Sequence, residues 1–237
     1  MASDSTIPDS MVSDSMVSDS VDLDSTLNAI ALRPEGAGQK LLVLLHGWGA
    51  NARDVAGIIQ AINMISSPMQ AMLPEAPFKH PMVPGGRAWY SFPASYDFVR
   101  SHDFDAQADL QESRQRLITW MRSLPKQTGI PLERTIMGGF SQGGAMTLDV
   151  GPRLPLAAMM ILSSYSHAPI APCVTPRPIL LLHGRRDPVV PLAKALDTKA
   201  QLEQQGLSVD YKEFDMGHEV SLEALQTASN FCATQPV

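Results

Sequence analysis

Thr135-Ile136-Met137-Gly138-Gly139-Phe140-Ser141-Gln142-Gly143-Gly144-Ala145-Met146-Thr147-Leu148 is the stretch on which the reading of this chain turns. The apolar run at its start suits a buried strand, and the segment after Gly144 can continue as a helix. Between them stands Gly-Phe-Ser-Gln-Gly, the pattern of a sharp strand-to-helix turn that lifts a serine hydroxyl clear of a sheet. The flanking glycines are required because the turn brings neighbouring backbones too close for a Cβ. A chain this long holds such a five-residue match by chance about one time in ten. The strand before and the helix after are what make Ser141 a candidate nucleophile.

Outward from this stretch, short apolar runs alternate with amphipathic segments, the signature of an α/β sheet covered by helices on both faces. Strands are predicted at Leu41–Leu45, Thr135–Phe140, Ala157–Leu162, Ile179–His183 and Val209–Phe214, with weaker ones at Leu27–Leu32 and Met69–Leu73. Uninterrupted runs such as Leu41-Leu42-Val43-Leu44-Leu45 suit central parallel strands buried on both sides. Helices are predicted over Asp105–Leu124, capped by Asp103 or Asp105, over Leu192–Gln205, closed by Gly206, and from Glu219 to about Ala233. The stretch Pro74–Phe98 holds five prolines and six aromatic residues. No regular element tolerates that many prolines, so it reads as a long loop, either facing substrate or packed on the surface by its aromatic side chains.

Two units are expected: a Ser/Asp-rich tail over residues 1–25 and one α/β domain over 26–237. The tail repeats a five-residue unit from Ser10 to Ser20 and cannot bury enough apolar surface to offset its ordering entropy, so it reads as a solvated tail. It also carries six aspartates and no basic residue, and accounts for the whole formal charge of -6; the remainder balances 18 acidic against 18 basic residues. That neutrality, with no basic stripe, argues against nucleic acid as a partner. Cys173 and Cys232 are too few for a disulfide framework and match no zinc spacing, so no metal site is expected. No secretory signal and no run of 18 apolar residues is visible, so stable membrane insertion is not expected and a cytoplasmic setting is.

A serine hydroxyl needs a base to remove its proton. Among six histidines, His218 is placed to do so, in a Gly-His turn between the strand Val209–Phe214 and the last helix. His46 and His183, each before a glycine at a strand end, read as backbone-bonded structural residues. His80, His102 and His167 fall in predicted loops, where exposure is expected, although His167 follows a strand on the presumed active edge. The third member must be a carboxylate that holds the imidazole tautomer. Asp187 follows the strand Ile179–His183 in a Pro-rich turn, and the order Ser141, Asp187, His218 is the one such a sheet uses; Asp215 is the competitor by nearness to His218. Oxyanion donors are expected from the backbone N–H of Gln142, first in its helix, and of Trp48 in the glycine turn after Leu41–Leu45.

Taken together, Leu45-His46-Gly47-Trp48-Gly49, Arg87-Ala88-Trp89-Tyr90, the extended Gly138–Gly144 turn, His183-Gly184 through Asp187-Pro188-Val189-Val190-Pro191, and Gly217-His218-Glu219 resemble the phospholipase/carboxylesterase group of α/β-hydrolases, which includes acyl-protein thioesterases and bacterial carboxylesterases. The resemblance implies an α/β-hydrolase fold and hydrolysis of small carboxylic esters, acyl thioesters or lysophospholipids without a metal or organic cofactor, often as a homodimer. It further implies that Trp48 and Gln142 form the oxyanion hole and that Trp89, with Trp48, lines the acyl site. Trp48 and Ala50-Asn51 stand where the eukaryotic thioesterases carry Leu and Asp-Thr, which favours a general esterase over a protein depalmitoylase. A catalytically silent α/β-hydrolase that binds a small ligand or partner is the alternative of a different class.

Overall fold

The structure, a computed structural model, describes residues 27–35, 38–65, 69–93, 97 and 104–235. The Ser/Asp tail, His102, the Asp103 cap, and Tyr96 and Phe98 of the proline-rich stretch lie outside the described residues.

A seven-stranded sheet organises the chain. In chain order the strands and helices are β1 (Ala29–Leu32), β2 (Leu41–Leu45), α1 (Ala52–Ile65), β3 (Gln70–Pro74), β4 (Phe78–Lys79), β5 (Arg87–Ala88), α2 (Ala108–Thr128), β6 (Thr135–Phe140), α3 (Gln142–Val150), β7 (Ala158–Leu162), β8 (Ile179–Gly184), α4 (Leu192–Gln204), β9 (Val209–Phe214) and α5 (Leu222–Thr234). The order across the sheet is β1-β3-β2-β6-β7-β8-β9, and only the β1–β3 pair is antiparallel. This is the mostly parallel, two-sided sheet of the α/β-hydrolase fold.

The continuous apolar strands are explained by the two cores they serve. Leu41, Val43 and Leu45 of β2 pack on one face with Met137, Ile161 and Leu181, beneath Leu117 and Met121 of α2, Met146 of α3 and Leu202 of α4. Leu42 and Leu44 point the other way, with Ile136, Met160 and Leu180, onto Val55 and Ile59 of α1 and Ala224 and Ala228 of α5. Successive side chains of a strand alternate between faces, so a strand covered on both sides must be apolar at every position. Each fully buried Leu or Ile contributes about 1.5–3 kcal/mol.

Local corrections to the sequence reading have local causes. The long helix begins at Ala108, with Gln107 as its N-cap and no side-chain cap bond, because Asp105 is drawn into an ion pair with Arg114. It also runs past Leu124 through Pro125 to Thr128, where Gly129, at φ 74°, returns its N–H to the Pro125 carbonyl. The last helix starts later than predicted, at Leu222, because the Ser221 side chain accepts the Ala224 N–H. Within the proline-rich stretch a two-residue hairpin, β4 with β5, does form.

The switch in strand order falls between β2 and β6, where the chain first builds outward to β3 and then returns to the other side of β2. At such a point the loops leaving the carboxyl ends of adjacent strands diverge and open a crevice. Leu45 is paired with Gly139 at this edge, so the loops beginning at His46 and Ser141 emerge side by side.

A buried polar cluster lies at the far end of α3. Both oxygens of the Asp149 carboxylate lie 2.8 Å from Arg114 Nε and share its single N–H, His167 Nε2 lies 3.2 Å away, and Arg153 approaches to 3.5 Å. Burial pushes the Asp149 carboxyl up, but His167 and Arg114 together hold it below the usual carboxylate range. His167 and His80 are therefore corrections: both are 8% exposed rather than open to solvent. His167 is drawn in by Asp149 and the Tyr90 hydroxyl, and His80 Nδ1 by the N–H groups of Met82 and Val83. Because the Asp149 carboxyl is depressed in the folded state, its contribution is complete above the unfolded value of about 3.9 and is lost as pH falls through the folded value. Asp149→Ala should destabilise the protein by about 2 kcal/mol at neutral pH, because Arg114 keeps only its exposed partner Asp105 and His167 loses its carboxylate. Its stability should also fall less steeply in acid than that of the unmodified protein, as read by urea unfolding between pH 3 and 7.

Candidate active site

Ser141 sits at φ 53° and ψ -119° between β6 and α3, a left-handed backbone that a non-glycine residue adopts at a cost of about 1–3 kcal/mol. The strain is held in place from several sides. The Ser141 N–H donates to the Leu162 carbonyl, and its own carbonyl accepts from the N–H of Gly144 and Ala145 and from the Ser164 hydroxyl at 2.6 Å. Two glycines are dictated by close approach: a Cβ on Gly139 would lie 2.2 Å from the Gly143 carbonyl, and one on Gly143 would lie 2.4 Å from the Leu45 carbonyl oxygen. Ser164, which braces the turn, carries no motif in the sequence and becomes visible only when β7 is laid beside β6.

His218, in the turn after β9, brings Nε2 to 3.0 Å from Ser141 Oγ and Nδ1 to 2.8 Å from Asp187 Oδ2. The Asp187 side chain is shielded from solvent. Its other oxygen, Oδ1, accepts the N–H groups of Val189 and Val190, each at 2.8 Å, so the turn through Pro188 folds back onto its own carboxylate. Burial raises the Asp187 carboxyl, yet the His218 bond and the two backbone donors outweigh it and hold the group below its usual value. An anion at Oδ2 requires a proton on His218 Nδ1, which leaves Nε2 with a lone pair facing the serine hydroxyl. Asp215 points away into an exposed pair with Arg186.

The predicted structural histidines behave as such. His183 Nε2 donates to the Val190 carbonyl at 2.9 Å, and burial keeps the ring neutral. His46 stands within 2.8 Å of the Gly47 carbonyl through Nδ1 and accepts the Ala76 N–H at Nε2, a combination open only to the neutral Nδ1–H tautomer. Burial lowers its proton affinity in the same sense.

The backbone N–H groups of Trp48 and Gln142 donate to no protein acceptor among the described residues; Gln142 follows Ser141 directly, and a Cβ on Gly47, the residue before Trp48, would lie 3.3 Å from the Ser141 Cβ. The Trp48 indole is 42% exposed and meets His80 and Phe92 edge to face. Trp89 is placed differently: it is wholly buried, its Nε1–H bonded to the His46 carbonyl at 3.0 Å, so its ring faces no solvent-open surface. The half-buried Phe92 packs on Tyr165, Val190 and Ala145 beside the site and received no individual role from the sequence, which grouped it with other aromatic residues. Among the described residues, no group of three or more His, Cys, Asp or Glu is arranged to hold a metal ion, and no helix is long and apolar enough to cross a membrane.

A serine on such an elbow, at the switch point of a mostly parallel sheet, with an imidazole and a carboxylate arriving from the last strands, defines a hydrolase of the α/β-hydrolase class. Residues 28–235 match the Phospholipase/Carboxylesterase family, and the chain belongs to it. It is 29% identical over 205 residues to Esterase YpfH of Escherichia coli, covering 82% of each chain. It is 36% identical over 115 residues to Acyl-protein thioesterase 1 of Neurospora crassa, a match spanning 44% of this chain and about half, 47%, of that relative. Among solved structures, esterase PE8 superposes with a TM-score of 0.79 at 29% identity, covering 87% of this chain and 98% of that one.

Gly143→Ala tests the close approach at the elbow. The added methyl has backbone oxygens at 2.4 and 2.6 Å and no flexible side chain to displace. Soluble, folded yield should fall sharply, and whatever protein folds should show a displaced α3 and a loss of at least about 10²-fold in turnover, measured by ester hydrolysis per folded molecule.

Proposed function

We propose that the protein hydrolyses carboxylic esters and acyl thioesters through an acyl-serine intermediate on Ser141. The observation that carries this reading is the continuous pair of hydrogen bonds from Ser141 Oγ through His218 to Asp187, at 3.0 and 2.8 Å. The names of the esterase and thioesterase relatives point to the same bond type.

In this reading His218 Nε2 takes the Ser141 proton as Oγ attacks the acyl carbonyl carbon. Asp187 keeps Nδ1 protonated and stabilises the imidazolium. The oxyanion accepts the N–H groups of Trp48 and Gln142, the second at the positive end of α3. Collapse breaks the bond to the alcohol or thiol, which leaves with the proton from His218. A water, deprotonated by the same nitrogen, then attacks the acyl-serine, and the acid departs as Ser141 recovers its proton. The acyl group lies against Trp48 and Phe92, an apolar wall suited to alkyl chains, lysophospholipid acyl chains included. Trp89, its ring covered, meets His46 instead.

A fluorophosphonate probe followed by peptide mapping tests the reading. Label should appear on Ser141 and vanish in Ser141→Ala with the protein still folded. Label retained at another residue, or a folded protein inert to short and long acyl esters and thioesters, would instead favour the ligand-binding alternative. Asp187→Asn should leave KM within a few-fold and lower kcat by about 10³–10⁴, because the His218 tautomer is no longer fixed.

A further inference from the structure

Gln142 is wholly buried, and its carboxamide is engaged at both ends. Oε1 accepts the Trp89 N–H at 3.0 Å and Nε2 donates to the Tyr90 carbonyl at 2.8 Å. The complementary backbone partners fix which end is oxygen and which nitrogen. Trp89 is held in turn on its other sides: its indole N–H reaches the His46 carbonyl at 3.0 Å, and its own carbonyl accepts the Ser113 hydroxyl of α2. The His46 carbonyl immediately precedes Gly47-Trp48, and the His46 ring is itself held by Gly47 and Ala76. The side chain of one oxyanion donor's residue is thereby linked, through a buried tryptophan, to the loop that carries the other donor.

We propose that the Gln142 side chain is a positioning residue that sets the spacing between the Trp48 and Gln142 backbone N–H groups by clamping the Trp89-Tyr90 backbone beneath both. The proposal rests on the esterase reading above. The two donors belong to loops nearly a hundred residues apart in the chain, and strand pairing fixes their roots at Leu45 and Gly139 but not the turns beyond. The clamp adds a fixing point to the backbone contact of Gly143 with Leu45 and His46. Without the carboxamide, the Trp89 N–H and the Tyr90 carbonyl lose their hydrogen bonds to Gln142 in a buried setting, and the segment shifts. A displacement of about 1 Å at a group that acts on the transition state costs about 10²-fold in rate. Such a loss falls on the charged intermediate and spares ground-state binding.

The test uses the full chain with Gln142→Met, which keeps the length of the side chain and removes both hydrogen bonds, and Gln142→Glu, which keeps the acceptor for Trp89 and removes the donor to Tyr90. Short p-nitrophenyl esters report kcat and KM, and an alkyl boronic acid, which forms a tetrahedral adduct on the serine, reports affinity for the oxyanion geometry. The expected result is a fall of about 10–100-fold in kcat for Gln142→Met, an equal loss of boronate affinity, and KM within about twofold. Unchanged kcat and boronate affinity in folded Gln142→Met overturns the proposal, as does a rise in KM with kcat intact. Should Gln142→Met fail to fold, the same readings on Gln142→Glu decide. A native protein that neither takes up fluorophosphonate nor cleaves esters defeats the esterase reading itself. An active, labelled native protein beside an unaffected Gln142→Met defeats only the clamp.

Discussion

Backbone contact between the first turn of α3 and the carboxyl end of β2 is the constraint on which the rest of the site depends. At Gly143 the two main chains are so close that a methyl group would stand 2.4 Å from the Leu45 carbonyl. That approach sets α3 against the sheet, with Ser141 before it at a positive φ and the Gln142 N–H at the helix terminus without a partner among the described residues. A relaxed turn would permit none of these. The strain at Ser141 is tolerated because Leu162, Ser164 and the next turn of α3 all bond to it.

The polar groups around the site are held by opposing means. His46 and His183 are kept neutral by burial, which outweighs the backbone carbonyls of Gly47 and Val190 that favour the charged form. Asp187 is kept ionised despite burial by three donors converging on it. A charge deep in the fold persists only when such partners are in place, and here two of the three come from its own turn. The second histidine–carboxylate pair, His167 with Asp149, lies at the other end of α3 and faces Arg114 and Tyr90 rather than a serine. Similar pairs can thus serve structure or chemistry, depending on what stands at the free nitrogen.

Much of this was legible in the linear chain, for identifiable reasons. The run Leu41–Leu45 has no polar position, and only a strand covered on both faces demands that. Gly139 and Gly143 flank Ser141 at the spacing an elbow requires, and the turns carrying Asp187 and His218 each follow a strand in the expected order. The proline-rich stretch was harder to read. Its hairpin is two residues long, and the burial of Trp89 depends on a carbonyl, that of His46, supplied by a loop 43 residues away. His167 is buried for the same kind of reason, by a carboxylate on α3, whereas His80 is buried by a tight local turn that folds the Met82 and Val83 amides onto its ring.

By itself, the sequence determined the class of sheet, the position of the elbow and the order in which Ser141, Asp187 and His218 follow their strands, because each is written in local periodicity or in residue types a turn cannot do without. Only the tertiary structure decided which aromatic ring faces the crevice and which lies beneath it, how Ser164 and Gln142 brace the turn, and where Asp149 finds its cations. Those outcomes depend on hydrogen bonds between segments far apart in the chain, and such partners have no spacing rule. They are set only when the strands have paired and each buried polar group must find whatever donor or acceptor the packing has brought within reach.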